Sequence, residues 1–351
     1  MKTSLRILHL FASPFFSGPA EFIAQLALAQ RNLGCSVSVA IDRKRQTTQS
    51  EELAAERFRA LGLLDESGFE LSVKPSWWGP WKDMSRLHSL NKDVLHCHFS
   101  HDHWITRLAR PKFGLLVRSL HAPRSLNRWT PKADAFTVAT LEMLKEVKCR
   151  FPDACSMLHT PMMDDVFAPP SDISVLRKQL GFWGSPVVGM VSTFQESRRH
   201  MLGLRAFKAL SMEHPQAQFV LVGDGVLENE LRLEVRRLEM EESVLFLGYK
   251  TQEKFVEVLK ALDEVWILGL GNDHSARAAV QARACEVRVL AVAQGALSVW
   301  ADEVVEPNEE SILQAHRKGG RRQVALPSKR EFAESVLELY AKAREKSALQ
   351  T

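Results

Sequence analysis

The chain has 351 residues, of which 45% are hydrophobic and 25% charged. That is the composition of a soluble folded chain, neither disordered nor fibrous, and at roughly 150 residues per domain it leaves room for two cores. Lys and Arg number 46 against 42 Asp and Glu, a net charge of +4, which argues against a dedicated nucleic-acid binder.

The small excess is uneven. Residues 1–165 hold 22 basic and 17 acidic side chains, the remainder 24 and 25. A basic N-terminal half suits an anionic acceptor or an anionic membrane surface, or is ordinary surface variation. The five cysteines are scattered with no C-x-x-C pair, which fits a reducing compartment better than a disulfide framework or a zinc ribbon. No apolar run approaches the ~20 residues that span a bilayer. The start, Met1 to Phe16, is interrupted by charge and reads as a first buried strand rather than a signal peptide.

In chain order, Leu5 to Phe11 is a short apolar run, as for a buried parallel strand. A turn-rich loop through Ser17-Gly18-Pro19 leads to a helix over Ala20 to Leu33, stopped by Gly34. Cys35 to Ile41 then alternates, completing a βαβ opening. Lys74 to Trp81 reads as a tryptophan-rich loop. Strands are expected at Val94–His98, Leu115–Leu120 and Ala135–Val138, with helices between them. Pro152 to Ser171, rich in Pro and Asp, reads as an interdomain linker.

A second alternating series follows. Strands are expected at Val187–Val191, Phe219–Val222, Val244–Leu247, Val265–Leu268 and Val287–Val292, with helices at Leu202–Leu210, Leu227–Leu238, Phe255–Leu262 and Ala276–Ala284. Two doubly wound domains facing one another place a ligand cleft at the carboxyl ends of both strand sets.

Three segments could carry chemistry. Gly18, before a helix start, allows backbone to approach an anion; the G-x-G-x-x-G fingerprint is absent, and a plain strand-to-helix turn also accounts for it. Asp273, Ser275, Ala276 and Arg277 lie where a strand gives way to a helix, with Gln281 further in. Amides at that helix start would face a phosphate and Arg277 would add a charged bond; N-capping by Asp273 or Ser275 is the structural alternative. His96, His98, His101 and His103 suggest a metal, but no matched distant pair completes a site, so one or two of them are expected to face the cleft as polar contacts and the others to lie on the surface.

Taken together, these segments resemble the family 4 glycosyltransferases, which have the GT-B fold. Ser17-Gly18-Pro19-Ala20-Glu21 resembles the family's glycine-rich opening, Asp93-Val94-Leu95-His96-Cys97-His98 its DVVHAH strand, and Leu120-His121-Ala122 its HG turn. Phe219 to Gly225 resembles xLLVGDG, Asp263 to Gln281 the segment ending in E-x7-E, and Arg330 to Tyr340 the closing helix that crosses back to the first domain. The chain departs from the pattern at Thr193, where Arg is usual, at Arg198 for Lys, at Asp273 and Gln281 for the two glutamates, and at His274 for glycine.

The resemblance implies an α/β architecture of two Rossmann-like domains, an acceptor-side domain over 1–165 and a nucleotide-sugar domain over 166–328, with a crossover helix over 329–351. It implies a retaining hexosyltransferase that moves a sugar from a nucleotide-sugar donor to a glycan or lipid-linked acceptor in polysaccharide or lipopolysaccharide synthesis, with no metal or other cofactor. Catalytic roles fall to His121 and Asp273. Donor binding falls to Gly18, Thr193, Arg198, Gly223, Ser275, Ala276, Arg277 and Gln281. His121 could also be a core histidine. A catalytically silent nucleotide-sugar binder, motivated by Thr193 and Gln281, and a sugar-nucleotide epimerase are the alternatives. Beside the resemblance, the residues themselves suggest His98, Trp77, Trp78 and Lys82 for the acceptor. Trp77, Trp78 and Trp81 with Lys74 and Lys82 suit an anionic surface at the inner face of the membrane, from the cytoplasm, or pack as a satellite core.

Overall fold

The computed structural model describes residues 4–16, 18–43, 53–72, 78–109, 114–159, 162, 165–250, 252–269, 276–326 and 328–349. It divides into two compact units, one of Met1–Met162 with Pro327–Thr351, the other of Met163–Leu326.

The first unit is a parallel sheet of β1 (Arg6–Phe11), β2 (Ser36–Ile41), β3 (Val94–Cys97), β4 (Leu115–Leu120), β5 (Ala135–Val138) and β6 (Cys155–Leu158), in the order β2-β1-β3-β4-β5-β6. β1, β3, β4 and β5 are buried almost throughout, which is why they read as continuous apolar runs. The helix Lys329–Ala348 opens on a capping box between Ser328 and Glu331. It buries Phe332, Ala333, Val336, Leu339, Tyr340 and Ala343 as one stripe and packs on the helix Gly18–Asn32 and on β4, β5 and β6. The tail thus returns to the first unit, as the resemblance implies.

The second unit has β7 (Val187–Val191), β8 (Gln218–Val222), β9 (Val244–Gly248), β10 (Glu264–Ile267), β11 (Arg288–Val292) and β12 (Glu303–Val305), all parallel, in the order β12-β11-β10-β7-β8-β9. Alternate side chains feed two apolar layers: Val187, Val265 and Val289 enter one, Val188, Met190, Trp266 and Leu290 the other. Both units are the doubly wound α/β architecture that the strand–helix alternation predicts.

Some expectations need correction. The presumed linker contains β6, an edge strand whose half-buried side chains give no continuous apolar run. The presumed tryptophan loop is helical at its end. Pro80 lies in the first turn of the helix Gly79–Ser89, which holds Trp81 and Lys82, with Trp78 as its N-cap; Lys74 and Trp77 lie outside the described residues. Helices Ala54–Ala60, Ile173–Leu180 and Glu309–Lys318 and the short β12 are further elements of the units.

Candidate functional site

In the second unit the chain runs outward through β8 and β9 on one side of β7, then returns to build β10, β11 and β12 on the other. The crossovers therefore part between β7 and β10, and a crevice opens beyond the carboxyl ends of that pair. A cavity of about 200 Å³ lies there, lined among others by Thr193, Arg198, Gly269, Arg277 and Gln294. Thr193 and Arg198 come from the loop after β7, and Gly269 and Arg277 from the segment after β10.

Two backbone features hold these loops together. Arg199 has a left-handed backbone, φ +58°, and its Nη1 donates to the Leu268 carbonyl at 3.1 Å. A Cβ on Gly269 would lie 2.4 Å from Arg198 Cα, so only glycine lets the second loop rest against the first. The buried Nε of Arg198 has no partner among the described residues, an unusual state for a buried donor. Nearby, His200 is pushed down to about 4, first by burial and then by the Arg198 charge; its Nε2 lies 3.3 Å from Ser192 Oγ.

Of the donor residues expected from the sequence, Thr193, Arg198 and Arg277 share this cavity. Ala276, buried with φ +58°, directly precedes the helix Arg277–Ala284. Gln281 is buried in that helix and does not line the cavity, and neither does Gly223. A Cβ on Gly223 would sit 2.2 Å from the Ser192 carbonyl oxygen, so this glycine serves the packing of the loop after β7. Asp273 and Ser275 lie outside the described residues. Gly269 and Gln294 escaped the sequence reading because their role is close approach and lining, not motif chemistry.

In the first unit the crossovers part between β1 and β3, and histidines collect there. His9 on β1 pairs in register with His96 on β3, and His98 and His121 follow β3 and β4. His98 was expected to face an acceptor; it is instead buried at 1% exposure. Its Nε2 lies 2.9 Å from His9 Nδ1 and its Nδ1 3.2 Å from His121 Nε2, so neither nitrogen is presented to an acceptor. His121 is half-buried, with its ring against Phe22 and His159. Gly18 is half-buried at the start of the helix Gly18–Asn32.

Asp102 holds the loop ends in place. Its carboxylate accepts from the Phe99 amide at 2.9 Å and the Ala12 amide at 3.2 Å, with the equally buried Arg118 3.6 Å away. Nitrogens of His9, His96 and His98 lie within 4.8 Å of one another, the one trio among the described residues that could hold a metal. Both nitrogens of His9 and of His96 are engaged in hydrogen bonds, and the His96 and His98 rings stack at 4.5 Å rather than converging. A larger cavity, about 350 Å³, is lined by Arg107, Lys132, Asp134, Arg150 and Lys346 near the amino ends of β4, β5 and β6. Ligands of open α/β sheets gather at the opposite, carboxyl ends, so the smaller cavity is the better candidate.

Residues 172–316 match the family model described as glycosyl transferases group 1. That match falls within the second unit. The whole chain shares its fold with solved proteins. HepE of Anabaena, solved in complex with UDP, is 18% identical with a TM-score of 0.69, covering 99% of each chain. A glycosyltransferase from Rickettsia africae is 12% identical with a TM-score of 0.70, over 98% of this chain and 97% of that one. The lipopolysaccharide outer core galactosyltransferase WaaB is 10% identical with a TM-score of 0.63, over 99% of each chain. At such identities the likeness is one of fold, and the fold is GT-B. No curated protein matches the sequence.

The histidine cluster has a measurable consequence. Burial pushes His9 down to about 4 and His159 to about 3. It also holds His96, His98 and His121 well below 6.5, with the repulsion that a second protonated histidine would meet and the Arg118 charge adding to the effect. All five stay neutral in the fold, whereas in the unfolded chain they take up protons below about pH 6.5. Their stabilisation is therefore complete above that pH and is lost as pH falls toward the folded values, by up to ~1.4 kcal/mol per site per pH unit. The melting temperature should drop steeply between about pH 6.5 and 5, with several protons taken up on unfolding. A melting temperature that stays flat across this window would contradict the cluster's burial.

Proposed function

We propose that the chain is a retaining glycosyltransferase that moves a sugar from a nucleotide-sugar to a glycan or lipid-linked acceptor, in cell-surface polysaccharide or lipopolysaccharide synthesis. The observation that carries this reading is the cavity at the β7/β10 switch point, which gathers Arg198 and Arg277 and where the buried Arg198 Nε has no partner among the described residues. Such a site suits a diphosphate.

In this reading Arg198 and Arg277 bind the diphosphate, and the amides opening the helix Arg277–Ala284 add to its stabilisation. Thr193 replaces one cation of the family pattern with a hydroxyl. Asp273 and Ser275 hold sugar hydroxyls, Gln281 serves the ribose, and Gly18 and His121 serve the phosphates and the reacting sugar. The bond from the anomeric carbon to the leaving diphosphate breaks, the acceptor oxygen bonds to that carbon on the same face, and the leaving phosphate takes the acceptor proton. The reading calls on no metal. HepE binds UDP, so uridine nucleotides are the first donors to try.

A thermal-shift screen against UDP-, GDP-, ADP- and TDP-sugars identifies the donor. Arg198→Ala and Arg277→Ala should each weaken its binding by about 1.5–3 kcal/mol, the worth of a charge-assisted hydrogen bond. His121→Ala should lower kcat and leave nucleotide affinity nearly unchanged. Undiminished affinity in both arginine variants would overturn the site; donor binding without transfer or hydrolysis would favour the silent binder.

On the acceptor side, Trp78 is 75% and Trp81 66% exposed, and Lys82 beside them is exposed too. These indoles are not a satellite core. We assign them to an anionic membrane surface or its lipid-linked acceptor, approached from the cytoplasm. No helix among the described residues is long and apolar enough to cross a membrane. The chain should co-sediment with anionic vesicles more than with neutral ones, and Trp81→Ala with Lys82→Glu should abolish the difference. Equal sedimentation of variant and parent would remove the membrane role.

A further inference from the structure

Two chains of hydrogen bonds run through the first unit, and both hang on one side-chain amide. In the first, Gln30 Oε1 lies 2.9 Å from His9 Nε2, His9 Nδ1 2.9 Å from His98 Nε2, and His98 Nδ1 3.2 Å from His121 Nε2. In the second, Gln30 Nε2 donates to the Tyr340 hydroxyl at 3.2 Å, and that hydroxyl lies 2.7 Å from His96 Nδ1. The path continues from His96 Nε2 to Ser119 Oγ at 2.8 Å, to Thr137 Oγ1 at 2.7 Å and to His159 Nδ1 at 3.4 Å.

A neutral imidazole has one donor and one acceptor. Fixing the direction of one link therefore fixes every link after it. The Gln30 oxygen can only accept, so His9 carries its proton on Nε2 and its Nδ1 accepts from His98 Nε2–H. His98 Nδ1 in turn accepts from His121 Nε2–H, which leaves His121 Nδ1 as a bare lone pair. Among the described residues nothing bonds that nitrogen. The second chain agrees. The Gln30 amide group donates to the Tyr340 oxygen, so the phenol donates to His96 Nδ1, and the 2.7 Å separation suits an O–H donor better than an N–H one. All five histidines then share the Nε2–H tautomer.

Rotating the Gln30 amide by half a turn would reverse every link together. A partial reversal would set two lone pairs or two protons face to face among buried groups, which is costly. The network thus has two concerted states, and the 2.7 Å Tyr340–His96 separation, that of an O–H donor, favours the one in which Gln30 donates to Tyr340.

We propose that Gln30, His9 and His98 are positioning residues that lock His121 as its Nε2–H tautomer, so that its Nδ1 accepts a hydrogen bond from a substrate hydroxyl and cannot donate to a phosphate or an oxyanion. The hydroxyl partner rests on the functional reading above; the tautomer does not.

The test is a long-range ¹⁵N–¹H correlation spectrum of the whole chain labelled at histidine, at neutral pH, with and without Gln30→Leu. The parent should show His121 protonated on Nε2 with Nδ1 bare. In Gln30→Leu, His9 loses its acceptor and the branch should reverse, moving the His121 proton to Nδ1. The same variant should lose roughly tenfold in kcat, the worth of one hydrogen bond strengthened in the transition state, with nucleotide affinity unchanged. Tyr340→Phe, a milder change, should bring up a second set of His121 signals if Gln30→Leu does not fold. A parent spectrum with His121 protonated on Nδ1 or on both nitrogens would overturn the proposal, and so would a tautomer indifferent to both variants. A chain that binds no nucleotide-sugar would overturn the functional reading while leaving the tautomer pattern as stated.

Discussion

A parallel strand releases its chain at one end only, and where two neighbours send their crossovers to opposite sides of the sheet the covering helices must part. That constraint places a crevice between β7 and β10 in one unit and between β1 and β3 in the other. Arg198 and Arg277 lie at the first of these positions and His9, His96, His98 and His121 at the second. In the second unit the crevice is narrowed by a backbone contact that only Gly269 permits, and this contact sets Arg198 beside the cavity. A methyl group there would force the two loops apart, so the geometry of the proposed diphosphate site depends on a residue with no side chain.

The crevice of the first unit is filled rather than open. Asp102 fastens the Ala12 and Phe99 amides, and behind this fastening the space holds histidines instead of aliphatic side chains. A buried imidazole is acceptable when it is neutral and both its nitrogens are bonded. His9, His96 and His98 meet that condition through one another and through Gln30, Tyr340, Ser119 and His121. The arrangement makes the ring of His121 the outer end of a rigid polar path, which a single histidine set in an apolar wall could not be.

The strands of both sheets were legible because burial on both faces turns a parallel strand into an apolar run, as in Leu115–Leu120 and Val187–Val191. β6 was not, because an edge strand is covered on fewer sides and Cys155–Leu158 carries no apolar signature. The period of two showed that His96 and His98 share a face, but it could not show that His9, far away in sequence, lies in register with His96. The sequence alone therefore suggests a contact residue at His98, which in the fold is an interior link. Gln30 and Tyr340 looked like ordinary helix residues; their importance comes from two helices meeting, which no local pattern encodes. Arg198 and Arg277 were found because charge placed after a strand and at a helix start has a local physical meaning. The tryptophans were recognised as exposed chemistry, yet their setting was misread, since Gly79-Pro80 opens a helix as readily as it makes a turn.

The cavity at the carboxyl ends of β7 and β10 is proposed to bind a nucleotide diphosphate. Hydrogen exchange of the whole chain, measured with and without UDP, tests it most directly. The account predicts slower exchange in peptides covering residues 192–199 and 276–281, with β5 and β6 of the first unit unchanged. Protection confined to the first unit, or none in the loop after β7 at a UDP concentration that raises the melting temperature, would contradict it.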